Sequence, residues 1–405
     1  MFAGRRIVLG VTGGIAAYKA VDVCRRLVDE GAFVTPVMTA GALRFVGETT
    51  FSALASSPVQ TTLWDEARPN PHTKLGQSAE IVLVCPATAR LLAAYAAGFS
   101  NDLLTAVLLA TKAPVVVCPA MHTEMWEHPA VIENLATLVR RGVHVVPPGT
   151  GRLAGGDVGA GRLAEPADIV ERVRRVLTPQ SMTGLAVVVS AGGTREPIDP
   201  VRFISNRSSG KQGYAIAQEC ARRGATVTLV STVSLPVPLG VTVVPVETAI
   251  QMHDAMLQLA PAAEVVVMAA AVADFRPAQA AAGKIKKGGA VPVVALEQTT
   301  DILAALGAVK PVGQVLVGFA AETSNLRANA ADKLQRKGAD LIVANDVSAP
   351  GVGFEHDTNQ VVILGRDGSA VDVPLSAKSD VAAALLDIVE RVVARSNGGA
   401  TPLSR

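Results

Sequence analysis

The chain lacks any large excess of one charge. Thirty-seven Lys and Arg face 35 Asp and Glu over 405 residues, a formal net charge of +2. That balance gives no support to a nucleic-acid coat or a polybasic membrane anchor. Cysteine is scarce too. Cys24, Cys85, Cys118 and Cys220 are far apart and form no C-x-x-C pair, which argues against a zinc site or a redox dithiol. No disulfide framework is implied in a chain this large, so a reducing, cytoplasmic compartment is expected. The apolar run that follows Arg5 and Arg6 ends at Gly10, too short for a signal-peptide core or a membrane span. Aromatic residues make up only 3% although 49% of residues are hydrophobic. Abundant Ala, Val and Gly instead suit buried parallel strands covered by helices.

The length predicts two domains. A strand, a Gly-rich turn, a helix, a Gly-Ala stop and a second strand run from Arg6 to Thr39, and the same order recurs from Leu185 to Ser231. This is the opening βαβ unit of a doubly wound sheet, present twice. Further strands are predicted at 81–85, 115–118, 143–146, 265–268, 315–317, 341–343 and 361–364. Helices are predicted at 90–97, 103–110, 129–141, 168–177 and 380–393, and the tail after Ser396 reads as disordered. The polar stretch 178–184 is the connector, giving domains 1–180 and 181–405. The fold class is α/β, with two Rossmann-like doubly wound domains.

In the first half, V-T-G-G-I-A-A-Y-K (Val11–Lys19) opens a helix. Its backbone N–H groups favour a phosphate, but a plain tight turn explains it equally well. It is not G-x-G-x-x-G, which disfavours a nicotinamide-dependent dehydrogenase. Thr39, Pro86-Ala87-Thr88 and Pro119-Ala120-Met121 fall at carboxyl ends of strands, where open α/β sheets bind ligands. Asn101 lies in a further polar loop. His72, in P-N-P-H-T-K-L, starts a helix after a Pro-rich loop. Lone histidines are more often structural or exposed, but this placement suits proton transfer.

Together T-G-G-I-A-A-Y-K, the loop histidine, P-A-T, A-G-x-x-N-D and P-A-M resemble the homo-oligomeric flavin-containing cysteine decarboxylases over roughly residues 5–177. The resemblance implies a flavodoxin-like domain with FMN between subunits. FMN would take a hydride from a C-terminal cysteine unit, leaving a thioaldehyde that loses CO₂ readily, and would then return the hydride. It implies His72 as base and Gly13, Gly14, Ile15, Thr39, Pro86, Ala87, Thr88 and Asn101 around FMN. Met121 and His122 would meet the substrate. Two positions depart from the pattern. His122 stands where the family commonly has an Asn that grips the substrate carboxylate. Gly155, in the flap Gly151–Arg162, stands where relatives often carry a cysteine that donates the final proton.

In the second half, a long polar loop runs from Ser190 to Gly213. Loops of that length are usually functional. Ser209-Gly210-Lys211 is not a P-loop, because Ser205 stands where the first Gly belongs and Gln212 follows the lysine. A strand end becomes a loop over Met268–Arg276 with Asp274 at its tip, and Lys284-Ile-Lys-Lys287 follows. Such a run is usually a solvated face, although its position favours phosphate neutralisation. Lys333 and Lys337 share a helical face and either add to that charge or form a surface stripe.

The motifs G-G-T-R-E-P-I-D-P-V-R-F-I-S-N-R-S-S-G-K, A-A-V-A-D-F-R, K-I-K-K, V-G-F-A-A-E-T and A-N-D-V resemble phosphopantothenate–cysteine ligase over about 185–395. The resemblance implies that a nucleoside triphosphate, CTP in bacterial fused forms, activates the 4′-phosphopantothenate carboxylate as an acyl-nucleotide with Mg²⁺ present. The cysteine amine then attacks. It implies Lys284 in forming the intermediate, and Asn206 and Arg202 in positioning it. Met268, Ala269, Ala270, Asp274, Lys284, Thr299, Thr300, Asp301, Ile302, Phe319, Lys333 and Lys337 would line the CTP site. Thr299-Thr300 replaces the frequent Asn-Pro; no metal ligand is singled out. Both resemblances in one chain imply a bifunctional coenzyme A biosynthesis enzyme, assembled as a closed dodecamer. The alternative is a ligase whose flavin-binding half is regulatory or inactive.

Overall fold

The computed structural model describes residues 2–64, 70–286, 293–322, 325–346 and 356–396. It contains two compact units, Met1–Pro179 and Gln180–Arg405. Lys287 of the basic run, Thr323, Val347 and the tail after Ser396 lie outside the described residues. Among the described residues, no helix is long and apolar enough to cross a membrane.

The strands of the first unit are β1 (Arg6–Val11), β2 (Phe33–Met38), β3 (Ile81–Ala87), β4 (Val115–Pro119) and β5 (His144–Val145), followed by a hairpin, β6 (Gly149–Arg152) and β7 (Val158–Arg162). Its helices are α1 (Ala17–Asp29), α2 (Glu48–Leu54), α3 (Pro71–Ser78), α4 (Ala89–Ala97), α5 (Leu103–Ala110), α6 (Thr123–Trp126), α7 (Pro129–Arg140) and α8 (Pro166–Leu177). β1 to β5 form a parallel sheet in the order 2-1-3-4-5, the flavodoxin-like order. Alternation explains the layers. Ile81, Leu83 and Cys85 of β3 pack toward α1 and α8, whereas Val82 and Val84 pack toward α4, α5 and α7. Every residue of β3 and β4 is buried, as a sheet covered on both faces requires. The flap is not an irregular loop. Its residues pair as the antiparallel hairpin β6/β7.

The second unit holds β8 (Ala186–Ala191), β9 (Arg195–Pro197), β10 (Phe203–Ser205), β11 (Thr226–Ser231), β12 (Val241–Pro245), β13 (Val265–Met268), β14 (Phe275–Pro277), β15 (Leu296–Gln298), β16 (Val315–Glu322), β17 (Leu341–Asp346), β18 (Thr358–Gly365) and β19 (Ala370–Ala377). Its helices are α9 (Lys211–Arg222), α10 (Ala249–Leu259), α11 (Ile302–Val309), α12 (Leu326–Arg336) and α13 (Lys378–Ser396). The main sheet runs 12-11-8-13-16-17-18-19, parallel as far as β17 and antiparallel beyond it. The pattern predicts β13, β16, β17 and β18 but not β12 or β19. Both are edge strands, and β19 buries only Val373, so its alternation is faint. Two small antiparallel pairs, β9/β10 and β14/β15, interrupt the loops after β8 and β13. α9 and α13 cover one face of the main sheet; α10, α11 and α12 cover the other.

Candidate active sites

In the first unit the carboxyl ends of β1, β3 and β4 are linked in sequence. The Thr12 hydroxyl, buried at the end of β1, donates to the Pro86 carbonyl at 2.7 Å and accepts from the Thr88 N–H at 3.2 Å. The Thr88 hydroxyl in turn accepts from Leu91 N at 3.4 Å, capping α4. The Ala120 N–H donates to the Ala87 carbonyl at 3.2 Å, and the Met121 N–H donates to Gly161 of the hairpin at 3.0 Å. Gly13 permits the close approach of a neighbouring turn. A Cβ there would lie 2.7 Å from the Gly41 carbonyl carbon, two residues beyond Thr39. A Cβ on Gly14 would stand 3.7 Å from Thr88 Cγ2. Gly13, Gly14, Thr39, Pro86, Ala87, Thr88 and Met121 therefore share one edge of the sheet.

The Thr39 hydroxyl turns inward, accepting from Ala42 N at 3.3 Å. α1 begins without a side-chain cap; the Ala17 N–H donates to the Gly14 carbonyl at 2.9 Å and the Lys19 N–H to the Ala16 carbonyl at 3.0 Å, so the turn is closed in part by its own backbone. Ile15 at that turn is 61% exposed. Asn101 is exposed one residue before Asp102, whose carboxylate accepts from Thr105 N at 2.8 Å to cap α5. His72 is the second residue of α3, after Pro71 at the first turn. Its Nδ1 is buried with no hydrogen-bond partner among the described residues. A buried imidazole nitrogen without a partner is costly, and a ligand atom would satisfy it. Thr12 has no distinguishing sequence signal, because its partners are more than 70 residues away.

In the second unit a cavity of about 1010 Å³ opens at the carboxyl ends of β13, β16 and β17, against the segment Asn206–Gly213 that leads into α9. Asn206, Met268–Ala270, Asp274, Thr299–Ile302, Phe319, Lys333 and Lys337 all line it. The Asn206 amide donates to the Val272 carbonyl at 2.8 Å, tying the long loop to the chain after β13. Thr194, fully buried, accepts from Ala273 N at 2.9 Å, and Ser190 accepts from Ala270 N at 3.1 Å. The Thr299 hydroxyl donates to the Ala273 carbonyl at 2.5 Å, so its side chain stays structurally engaged. Close contacts explain the glycines of the loop. A Cβ on Gly193 would meet the Asn206 carbonyl oxygen at 2.5 Å, and one on Gly213 would meet the Ser190 carbonyl oxygen at 2.7 Å.

Lys337 pairs with Asp301, the N-cap of α11, and Lys333 Nζ donates to the Phe319 carbonyl at 3.4 Å. Burial opposes ionisation of Asp301. The Lys337 ammonium, the Ala304 N–H and the Lys333 charge outweigh it, holding the carboxyl below its usual range. Lys211, Asn345, Asn359 and Lys378 also line the cavity without having been singled out from sequence. Lys211 pairs with Asp357 at 2.6 Å. Lys378 lies 7% exposed with its ammonium on the His356 carbonyl, and burial lowers its pKa. Lys211 belongs to the S-G-K run, and Asn345 to A-N-D-V; each pattern held a cue, but the cavity is assembled by distant segments.

Arg202 and Lys284 are not among the cavity-lining residues. They neighbour each other elsewhere. Arg202 donates to the Ile285 carbonyl at 3.2 Å, and the Asp199 carboxylate accepts from Ile285 N at 3.1 Å. Burial alone would raise the Asp199 pKa. The N–H groups of Val201, Ile285 and Arg202 and the Arg202 charge reverse that and hold it low. A fixed anion thus anchors the β9/β10 loop to the start of the basic run. Among the described residues, no three His, Cys, Asp or Glu side chains cluster as a metal site.

The Flavoprotein family model matches residues 1–178, and that of the DNA/pantothenate metabolism flavoprotein C-terminal domain matches 182–393. The "Coenzyme A biosynthesis bifunctional protein CoaBC" of Mycobacterium tuberculosis is 48% identical over 402 residues, covering 95% of this chain and 96% of that one. The protein of the same name from Vibrio cholerae is 43% identical over 392 residues, covering 96% and 98%. The chain belongs to the CoaBC family. Like its family, it is a bifunctional coenzyme A biosynthesis enzyme, with a flavoprotein decarboxylase half and a ligase half. A solved CoaBC C-terminal domain is 41% identical, covering 53% of this chain and 99% of that one at a TM-score of 0.46. These comparisons give no support to a regulatory, inactive flavoprotein half or to a nicotinamide-dependent dehydrogenase.

Proposed function

We propose that this CoaBC enzyme joins 4′-phosphopantothenate to cysteine at the expense of CTP and then decarboxylates the product to 4′-phosphopantetheine. The ligase lies within 181–405 and the decarboxylase within 1–180. The observation that carries the reading is the cavity of about 1010 Å³ in the second unit. It brings the segment Met268–Ala270 together with the cations Lys333 and Lys337, as a nucleoside triphosphate requires.

A carboxylate does not acylate an amine in water, so its oxygen must first leave as part of a phosphate. The phosphopantothenate carboxylate attacks the α-phosphorus of CTP, and pyrophosphate leaves. Lys333 and Lys337 at the cavity wall offset the charge that develops and Asn206 orients the acyl-cytidylate, whereas Lys284 and Arg202, outside that lining, would have to reach the intermediate from the segment anchored at Asp199. The cysteine amine then displaces CMP. Asp274 at the cavity wall would help hold a Mg²⁺ ion that the triphosphate brings with it, and the ion would offset charge on the leaving pyrophosphate. Met268–Ala270 read the base through their backbone, and Phe319 and Thr299–Ile302 close the nucleotide site.

FMN fits the first unit. His72 has a buried nitrogen awaiting a partner, Gly14 leaves room beside Thr88, and α1 opens without a cap. When bound, FMN accepts and later returns a hydride. Gly13, Gly14 and Ile15 present the turn to its phosphate; Thr39, Pro86, Ala87, Thr88 and Asn101 flank it. His72 takes the thiol proton as base. Met121 and His122 face the substrate. Exposed Ile15, Tyr18, Phe45 and Phe99 support burial of this unit against further copies, in a dodecamer.

Acid-quenched mixtures of enzyme, CTP, Mg²⁺ and phosphopantothenate without cysteine should contain the acyl-cytidylate by mass. Pyrophosphate release without an acyl-nucleotide would overturn the ligase mechanism.

A further inference from the structure

The two family departures, His122 and Gly155, touch each other. A Cβ built on Gly155 would lie 2.8 Å from His122 Cε1 and 3.3 Å from its Nε2. The imidazole thus fills the space into which a side chain at position 155 would grow. The contact is fixed from both sides. Met121 N–H donates to the Gly161 carbonyl at 3.0 Å, and the Thr123 hydroxyl donates to the Ala160 carbonyl at 2.7 Å. Gly159 and Gly161 make this docking possible, since a Cβ on either would fall 2.2 Å from Thr123 Oγ1 or the Met121 carbonyl oxygen. One carboxylate stands beside the ring and another beside Gly155. Glu124 Oε2 stands 3.8 Å from Nδ1, and Asp157 Oδ2 lies 3.3 Å from the Cβ position of Gly155. The side chain is still 42% exposed, so it can exchange protons with water.

Resting on the decarboxylase reading above, we propose that His122 delivers the final proton of the decarboxylation. The substrate's carboxylate and the carbon that bears it are one bond apart. A side chain that holds the leaving carboxylate is therefore beside that carbon once CO₂ has gone. Loss of CO₂ leaves an electron pair spread over the carbon–carbon bond and the sulfur, as an ene-thiolate. The protonated His122 gives Nε2–H to the carbon that lost CO₂. A C–H bond forms there as the carbon–carbon double bond becomes single and a C=S bond forms. The hydride held by the reduced flavin then reaches the thioaldehyde carbon. The sulfur, then a thiolate, takes back the proton removed in the oxidative step; the proton given by His122 replaces CO₂ and is the one consumed per turnover, and His122 is reprotonated from water.

The test is an anaerobic single turnover of the FMN-loaded enzyme with phosphopantothenoylcysteine. CO₂, saturated thiol and unsaturated thiol are counted, and the flavin absorbance is followed. Wild type should give one saturated thiol per CO₂. His122→Asn should lower saturated thiol per CO₂ by at least roughly 100-fold, the lower range for a lost general acid, with unsaturated thiol and bleached flavin accumulating. Gly155→Cys, which leaves His122 in place but crowds its ring, should shift the products the same way. In the double variant His122→Asn/Gly155→Cys, a thiol in the vacated space should restore saturated product. One saturated thiol per CO₂ in His122→Asn, or CO₂ and thiol falling in parallel, would overturn the proposal. Wild type that releases no CO₂ would instead remove the decarboxylase reading itself.

Discussion

Thr12→Val tests whether the end of β1 organises the flavin edge. Valine matches threonine in shape but removes the hydroxyl. The Pro86 carbonyl loses a 2.7 Å bond and the Thr88 N–H loses a 3.2 Å bond. Thr12 is 2% exposed, so water does not replace them. An unsatisfied buried partner costs about 1–3 kcal/mol, and Thr88 is only half-buried, so the pair should cost about 3 kcal/mol. For a unit of this size that lowers the melting temperature by roughly 6–12 °C. Thr88 caps α4 and adjoins Gly14, so flavin retention should fall with stability. Flavin fluorescence during a thermal melt reads both effects, with pyrophosphate release by the ligase as the internal control. Thr12→Ser keeps the hydroxyl and should lie close to wild type. A Thr12→Val protein that melts within about 1 kcal/mol of wild type and keeps its flavin would refute the reasoning.

His72→Asn should abolish CO₂ release from phosphopantothenoylcysteine while pyrophosphate release continues; CO₂ at the wild-type rate would remove His72 from the chemistry. Lys337→Met leaves Asp301 without its ammonium partner and removes a charge-assisted phosphate contact of about 1.5–3 kcal/mol. KM for CTP should rise roughly 10- to 100-fold, as initial rates of pyrophosphate release would show. Asp367 sits in the turn between β18 and β19. The Ser369 hydroxyl and N–H and the Arg395 guanidinium lower its pKa to about 2, from an ordinary 3.8. A depressed carboxyl stabilises the fold above its unfolded pKa and loses that contribution as pH falls through its folded value. Asp367→Asn should therefore flatten the loss of stability between about pH 4 and pH 2, measured by circular dichroism; an unchanged slope would sink this assignment.

Central strands were legible because each carries apolar residues on both faces. β3 and β13 could be read from Ile81–Cys85 and Val265–Met268 alone. The pairs β9/β10 and β14/β15 were not legible, since three-residue strands in polar loops carry no period. Thr88 is placed by the rule that ligands bind at the carboxyl ends of strands, whereas Met268 is placed only by the ligase resemblance. Thr12 is placed by neither, because its meaning depends on a carbonyl at Pro86. Nor is Lys378, because it begins the last helix and reaches the cavity only through the fold. Resemblance places Lys284 at the nucleotide site and Arg202 beside the acyl intermediate. The structure holds them together through Asp199, apart from the cavity lining, a link that no sequence spacing displays.

The most direct test of a two-step enzyme is stoichiometry in one vessel. Purified enzyme with phosphopantothenate, CTP, Mg²⁺ and cysteine labelled in its carboxyl carbon should release one labelled CO₂ for every pyrophosphate at completion. Pyrophosphate without labelled CO₂, or neither product, would contradict the assignment of successive chemistries to the two units.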